Sequence, residues 1–173
     1  RRGAPSAEHR GRPPARGWLT YTAAMRVEDT LAIHERLFAY SEAIDQQRFD
    51  HLAHVFTADA ELDFRQTGGP CCALPELQVF LAQELSRYRR LQHFISNVRV
   101  HFDDDDSELA TARSYVLAQH GYLHEGRMRF FQLGGEYDDK LVRRPGGWRI
   151  TSRVLHLRWL DGDVPRSPAL AGS

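Results

Sequence analysis

EDTLAIHERLFAYSEAID, residues 28–45, is the stretch from which the fold can be worked out. At helical spacing its apolar residues share one face, which predicts a long amphipathic helix. That face carries Ile33, Leu37, Tyr40 and Ile44, with Asp45 at its edge. A carboxylate beside an apolar face needs a partner, a shifted pKa or a chemical role, because an unpaired buried charge is costly. We therefore expect a pocket between this helix and a sheet, with Tyr40 and Asp45 flanking it about 140° apart around the helix axis.

The chain after residue 60 is dominated by strand patterns. A first short strand is expected at residues 60–64, where apolar and polar residues alternate. Four longer strands are expected near residues 91–102, 108–120, 127–142 and 148–160. Short turns connect these four, so they should form an antiparallel meander. Two further helices are predicted, at residues 49–56 and 75–88. The fold class is α+β: a cone-shaped domain in which three N-terminal helices cover a curved, mixed or antiparallel sheet.

Length and charge limit the function classes. A chain of 173 residues fits one domain. Its 23 basic and 23 acidic residues cancel, so no net charge draws it to nucleic acid or to an anionic membrane. The sequence has no apolar run of the length that a membrane span needs. The adjacent pair Cys71 and Cys72 is poorly placed for a mutual disulfide, which favours a reducing, cytoplasmic setting.

Both ends of the chain differ in composition from the middle. Residues 1–25 are rich in Arg, Pro, Gly and Ala without an apolar period, and we expect them to be disordered. Met25 is a plausible alternative translation start. The domain should span residues 26–160, and residues 161–173 should form a flexible tail.

Strand 91–102 carries apolar residues at both odd and even positions. A sheet that is apolar on both faces needs a second cover, so we expect a homo-oligomer, dimeric or trimeric, that forms through the outer face. In strand 108–120 the even positions from Ala110 to Ala118 are all small, which leaves room for a packed helix or for a ligand.

Three segments in order resemble the SnoaL-like branch of the nuclear transport factor 2-like superfamily. LFAYSEAIDQQRFDHLAHVFTADAELDF (37–64) resembles its opening signature, and LQHFISNVRV (91–100) resembles its His-x-x-x-Asn strand. GGEYDDKLVRRPGGWRITSRVLHLRW (134–159) resembles its closing hairpin. The branch includes polyketide cyclases, scytalone dehydratase, bile-acid 7α-dehydratase and limonene-epoxide hydrolase, and the small subunits of ring-hydroxylating dioxygenases share its fold. The resemblance therefore implies a pocket, but not one reaction.

The resemblance also implies site residues. The family's dehydratases use a tyrosine and an aspartate on the first helix and a histidine on the sheet, which match Tyr40, Asp45 and His93. These three are the candidate catalytic residues. Asn97 follows His93 at the family's spacing, and Arg153 matches the arginine of the closing motif. We take Asn97, Ser114 and Arg153 as candidate substrate-binding residues.

One position departs from the family pattern. The dehydratases carry a further carboxylate or histidine on the following strand, where this chain has Ser114 and Val116, with His120 only at the strand's end. A simple copy of the dehydratase mechanism is therefore not implied.

Each candidate also has a structural interpretation. Tyr40 could be a core tyrosine, Asp45 a helix cap and His93 a satisfied strand histidine. Asn97 could only hold a β-bulge, and Arg153 could pair with Glu136 or Asp138. The tight DDDD turn at residues 103–106 lacks the pattern of a calcium loop.

The residues favour proton-transfer chemistry without a metal or cofactor, because the sequence has neither a metal motif nor a nucleotide-binding loop. A His93–Asp45 pair would act as acid and base, with Tyr40 donating to a developing oxyanion. The predicted function is a lyase, isomerase or cyclase acting on a hydrophobic, oxygenated small molecule of polyketide, terpenoid or steroid type, as in secondary metabolism. The alternative is a non-catalytic ligand-binding or assembly subunit, like the small subunit of a dioxygenase.

Overall fold

The computed structural model describes residues 16–165, with side chains from residue 25 onward. Its α-helices are α1 (Arg16–Asp45) and α2 (Leu74–Leu85), and two 3-10 helices lie at Phe49–His54 and Arg65–Thr67. Its strands are β1 (Phe56–Asp63), β2 (Cys71–Cys72), β3 (Arg90–Phe102), β4 (Leu109–His124), β5 (Arg127–Arg144) and β6 (Gly147–Gly162).

The strands form one curved, open sheet in the order β2-β1-β6-β5-β4-β3. β3 to β6 follow one another as an antiparallel meander, which confirms the predicted connections. β1 joins the far side of β6 in parallel, so the sheet is mixed. A parallel pair needs a long connection between its strands. Here that connection contains α2 and the first three strands of the meander.

The helical layer differs from the three α-helices that the pattern predicts. The segment Phe49–His54 is a 3-10 helix, in which the backbone N–H groups of His51 and Val55 bond to carbonyls three residues back, at 3.1 and 3.0 Å. Such a short segment gains little from α-helical bonding, because a first α-turn fixes several residues for one hydrogen bond. Over residues 16–165 the structure thus has two α-helices and two 3-10 helices.

Helix α1 also starts earlier than expected. It begins at Arg16, so residues 16–25, predicted to be disordered, are helical. Extending a formed helix costs far less than starting one, and Ala23 and Ala24 are good helix formers. At the other end β6 continues to Gly162, two residues into the predicted tail. Residues 1–15 and 166–173 lie outside the described range.

The apolar face of α1 packs against β3 and β6. Its four large residues are each at most 3% exposed: Ile33, Leu37, Tyr40 and Ile44. Burying a side chain of this size contributes about 1.5–3 kcal/mol. Asp29 fixes the helix to the β5–β6 hairpin by accepting hydrogen bonds from Arg143 and from Nε1 of Trp148, the latter at 3.1 Å. The middle of α1 is thereby held against the sheet.

A β-bulge in β3 decides which of its residues face the helices. The pairing with β4 is interrupted between Ser96 and Arg99, and Asn97 has a φ of 52°. Before the bulge the odd residues face inward, and after it the even residues do. The inner set is Leu91, His93, Ile95, Val98, Val100 and Phe102. The two apolar faces that alternation predicted are therefore largely one face, because an extra residue reverses the alternation.

The outer face nevertheless keeps an apolar surface, which we name the outer apolar row. Phe94, Leu117 and Trp159 are 50%, 38% and 47% exposed. They lie side by side on β3, β4 and β6, with Gly134 of β5 between the last two. A Cβ on Gly134 would lie 2.2 Å from the Trp159 ring, so only glycine leaves space for the indole there. The predicted homo-oligomer stays a prediction.

No helix within the described residues is both long and apolar enough to cross a membrane.

Candidate active site

A cavity of about 320 Å³ lies between α1, α2 and the inner face of the sheet. Leucine and aromatic side chains form most of its wall, among them Phe64, Leu77, Phe80, Leu85, Phe131 and Leu133. The sheet and α1 contribute the polar side chains of Tyr40, Tyr137, His93 and His120 to this wall. Near the end of α2 the wall also includes Tyr88 and the ion pair of Arg87 with Glu84, at 2.5 Å. A concave apolar site with a few convergent polar groups is typical of small-molecule binding.

Asp45 and His93, which the sequence predicted to act as a pair, are in direct contact. Asp45 ends α1, and its Oδ2 accepts a hydrogen bond from the His93 backbone N–H at 3.0 Å. Its Oδ1 lies 2.7 Å from Nδ1 of His93. Asp45 does not cap the following 3-10 helix, which has no side-chain cap. The side chain of His93 is only 8% exposed and lines the cavity, whereas Asp45 lies behind it.

This geometry fixes the roles of the two ring nitrogens. With Nδ1 held by the carboxylate, Nε2 is the nitrogen that can exchange a proton with a ligand. The carboxylate also stabilises the imidazolium that forms when Nε2 takes up a proton. Such a pair can serve as a general base that becomes a general acid.

His120 is a site residue that the sequence prediction missed. It lies two residues beyond Ala118, the direct partner of His93 on β4, so both rings face the cavity. The ring centroids of His93 and His120 are 5.5 Å apart, and His120 stacks on Phe131 at 4.6 Å. Burial, helped by the neighbouring His93, lowers the pKa of His120 to about 3, so the ring is neutral at pH 7. Nδ1 of His120 is buried without a hydrogen-bond partner among the described residues.

The sequence did contain a signal for His120. The even residues of β4 from Ala110 to Ala118 face inward, and His120 is the next even residue. Because the strand continues to His124 rather than ending at residue 120, His120 occupies a regular inward position. His120 lies four positions beyond Val116, on the same inward face of β4.

Tyr40 also lines the cavity, and it does so with Tyr137 of β5. Their rings meet edge to face with centroids 5.7 Å apart. Burial raises the pKa of Tyr40, although the Arg153 cation and the Tyr137 hydroxyl oppose that rise. Burial and the neighbouring Tyr40 raise the pKa of Tyr137 well above its ordinary value. Both phenols are therefore protonated at pH 7. The hydrogen bond between their hydroxyls lowers the pKa of Tyr40 and raises that of Tyr137, so Tyr137 donates to Tyr40 and Tyr40 keeps its proton for a ligand.

Arg153 lies behind the tyrosines and outside the cavity wall. It is fully buried and binds Asp139 through two hydrogen bonds, Nε to Oδ1 and Nη2 to Oδ2, each of 2.7 Å. The prediction that Arg153 pairs with Glu136 or Asp138 is wrong, because alternation along β5 places both of these carboxylates on the outer face. They bind Arg158 and Arg113 there. The prediction that Arg153 contacts substrate does not fit its position, since other side chains enclose it.

Two other predicted substrate contacts also lie away from the cavity. Asn97 is exposed at the β3 bulge, where its positive φ suits asparagine, so the bulge interpretation fits it. Ser114 is 1% exposed and does not line the cavity, and its Oγ has no hydrogen-bond partner among the described residues. The structure thus brings Tyr40, Asp45 and His93 to the site, but not Asn97, Ser114 or Arg153.

The end of the described chain completes the cavity wall. Val164 and Pro165, in the predicted flexible tail, line the cavity after Leu160 of β6. The Tyr122 hydroxyl donates a hydrogen bond to the Asp163 carbonyl at 2.7 Å and so fixes this segment. Within residues 16–165 no group of three His, Cys, Asp or Glu side chains is placed to hold a metal ion.

The SnoaL-like domain model matches residues 25–154, which include most of α1, the strands β1 to β5, the first half of β6, and Tyr40, Asp45, His93 and His120. This chain belongs to the SnoaL-like family. A relative from Mycobacterium tuberculosis, the uncharacterized protein Rv2910c, is 40% identical over 129 residues, which are 74% of this chain and 84% of that protein. The uncharacterized protein Mb2934c of Mycobacterium bovis matches to the same extent.

Solved structures with the same fold place this SnoaL-like chain in the nuclear transport factor 2-like superfamily. Protein Kfla4162 of Kribbella flavida is 25% identical, with a TM-score of 0.70 over 79% of this chain and 95% of that one. A Novosphingobium aromaticivorans protein, provisionally named a scytalone dehydratase, is also 25% identical, with a TM-score of 0.70 over 84% and 94% of the two chains. The hexachlorocyclohexane dehydrochlorinase LinA type 2 is 18% identical, with a TM-score of 0.68 over 83% and 96%, and shows the fold alone.

Proposed function

We propose that this protein is a cofactor-independent lyase that removes water from a hydrophobic, oxygenated small molecule next to a carbonyl group. One observation carries the proposal: His93, held through Nδ1 by the Asp45 carboxylate at 2.7 Å, lines an apolar cavity. A base fixed in this way, beside a largely apolar wall, is suited to taking a proton from carbon.

The reaction balances with His93 alone as acid and base. Nε2 of His93 takes the proton from the carbon beside the carbonyl, and the electron pair moves onto the carbonyl oxygen as an enolate. The Tyr40 hydroxyl donates a hydrogen bond to that oxygen. The enolate then re-forms the carbonyl, the C–O bond of the β-hydroxyl breaks, and the His93 imidazolium returns its proton to the leaving oxygen as water. His93 ends in its starting state, and removal of both groups from one face is a syn elimination.

His120 contributes beside this pair as a neutral imidazole. Because its pKa is lowered to about 3, it adds no second positive charge next to the His93 imidazolium. A neutral ring can donate one N–H to the leaving hydroxyl or to the carbonyl and so orient the substrate.

The comparisons support an elimination. The Novosphingobium protein at 25% identity bears the name of a dehydratase. The cavity of about 320 Å³ and its aromatic wall suit a ring-containing substrate of polyketide, terpenoid or steroid type. Isomerisation or cyclisation would begin with the same proton abstraction. The product formed therefore distinguishes elimination, isomerisation and cyclisation.

A second candidate is a ligand-binding or assembly subunit, as in ring-hydroxylating dioxygenases. The exposed outer apolar row favours a partner surface. The open cavity and the oriented His93 favour the enzyme, since a purely structural subunit needs neither.

The test is proton exchange from carbon, which does not require the natural substrate. Cyclic and aromatic β-hydroxy ketones are incubated with the protein in D₂O, and loss of the α-C–H signal is followed by ¹H NMR. We expect exchange with the wild type and an unsaturated ketone from the matching substrate, and no exchange with His93→Gln. His101→Gln, on the exposed outer side of the same strand, is the matched control. Absence of exchange with every ketone that binds in the cavity would leave the binding subunit as the better account.

A further inference from the structure

Three aromatic rings surround the guanidinium of Arg153, in addition to its ion pair with Asp139. Its guanidinium carbon lies 4.0 Å from the ring centroid of Tyr137, 4.3 Å from that of Tyr40 and 5.4 Å from that of Phe56. The side chains of Arg153 and Asp139 are both 0% exposed. Replacing a buried ion pair by apolar residues is often neutral or stabilising, so stability alone does not explain this arrangement.

The ion pair is oriented with respect to the cavity. Its carboxylate binds the Nε and Nη2 side of the guanidinium, whereas the faces of the guanidinium lie against the two tyrosine rings. Nη1 keeps its donor capacity, since it has no partner among the described residues. The Arg153 cation favours the ionised form of Tyr40 more than the Asp139 carboxylate disfavours it. Arg153 therefore opposes the rise in the Tyr40 pKa that burial causes.

Burial alone would make the arginine charge unfavourable. The charge and hydrogen bonds of Asp139, together with Tyr40 and Tyr137, outweigh burial and hold the pKa of Arg153 above its ordinary value. The cation is therefore permanent. It cannot touch a ligand, because Tyr40 and Tyr137 line the cavity and Arg153 does not. Its effect must pass through the tyrosines, whose hydroxyls become stronger hydrogen-bond donors when a cation lies against their rings.

We propose that Tyr40 and Tyr137 form one oxyanion-binding pair in the cavity, and that Arg153, fixed by Asp139, is the positioning residue that supplies its positive potential. The inference deepens the proposed function and rests on it for the reaction. It specifies the ligand class: molecules that carry or develop negative charge on one oxygen conjugated to a ring, such as phenolates and enolates. It also makes Tyr137 a positioning residue, because its hydroxyl donates a hydrogen bond to that of Tyr40.

The test uses 4-nitrophenol, which absorbs visible light strongly only when ionised. It is titrated with the protein at a pH where most of the free phenol is neutral, and the absorbance of the phenolate is recorded. We expect the wild type to bind the anion preferentially and so to increase the ionised fraction. Tyr40→Phe and Tyr137→Phe should each weaken phenolate binding by about tenfold or more.

The role of Arg153 is tested with a paired substitution, because Arg153→Met alone would leave a buried, unpaired carboxylate. Arg153→Met combined with Asp139→Leu removes both charges and keeps an apolar core. This variant should fold, as judged by thermal unfolding, and should lose about tenfold or more in phenolate affinity while binding neutral phenol as before. The matched control is Arg113→Gln with Asp138→Asn, an ion pair of 2.7 Å on the outer face of the β4–β5 hairpin.

His93→Gln separates this inference from the proposed function. If His93 alone creates the anion, by taking the phenol proton, the ionised signal disappears in this variant and the oxyanion pair is wrong. If the signal persists in His93→Gln and falls in the Arg153 and Asp139 double variant, the oxyanion pair holds even where no elimination is found. A double variant that folds and binds phenolate as tightly as the wild type would overturn the role of Arg153.

Discussion

The Asp45 carboxylate binds His93 twice, at the backbone N–H with 3.0 Å and at Nδ1 with 2.7 Å. One contact fixes the strand against the end of α1, and the other fixes the orientation of the ring. The two residues lie 48 positions apart in the chain, so only the packing of helix on sheet creates the pair. This pair is the basis of the first prediction.

Asp45→Asn should reduce α-proton exchange by about 10²-fold or more, because an amide cannot stabilise the His93 imidazolium as a carboxylate does. Folding should change little, since an amide oxygen can still accept the His93 backbone N–H. Exchange of a bound ketone in D₂O, followed by NMR, measures the first effect, and thermal unfolding the second.

Asp50→Asn is the matched control for that variant. Asp50 lies 3.9 Å from Nε2 of His51 in a second Asp–His pair, but its side chain is 85% exposed. Its substitution should leave exchange unchanged. If Asp45→Asn exchanged as fast as the wild type, Asp45 would be only a structural anchor for β3.

His120 should make stability depend on pH. Its pKa falls from 6.5 to about 3 on folding, chiefly because burial disfavours the charged ring. Between these values the unfolded chain binds a proton that the native protein does not. The stabilisation is therefore complete above about pH 6.5 and declines as the pH falls toward 3, by at most about 1.4 kcal/mol per pH unit from this group.

His120→Phe should remove this contribution, since phenylalanine can keep the stacking on Phe131 without binding a proton. Urea unfolding between pH 4.5 and 7.5 would show a smaller fall in the free energy of unfolding for the variant than for the wild type. The same substitution at His124, exposed at the end of β4, should retain the wild-type slope. Equal slopes for His120→Phe and the wild type would mean that His120 is protonated in the fold.

The outer apolar row should mediate a homo-oligomer, dimeric or trimeric. Phe94→Glu places a charge beside Leu117, in a row whose members are 38–50% exposed, and should convert the assembly to monomers. Phe38→Glu, at a residue of α1 that is 44% exposed, is the control and should leave the assembly intact. Light scattering measures the mass of each, and a monomeric wild type would refute the prediction.

Much of the fold was predictable because it is encoded locally. The helical period of residues 28–45 and the turns between four strand patterns predicted α1 and the meander. They did so because side-chain periodicity and turn chemistry depend on near neighbours along the chain. The N-terminal extension of α1 was missed because residues 16–25 lack an apolar period.

The sequence by itself determined the long helix and the meander, and with the family resemblance it named Tyr40, Asp45 and His93 as candidate site residues. Tertiary structure alone decided the rest. The bulge at Asn97 reversed the alternation of β3 and turned its apolar residues to one face. Strand register placed His120 beside His93 and Asp139 beside Arg153. These contacts join residues on different strands, and their geometry depends on pairing and bulges that no local pattern encodes.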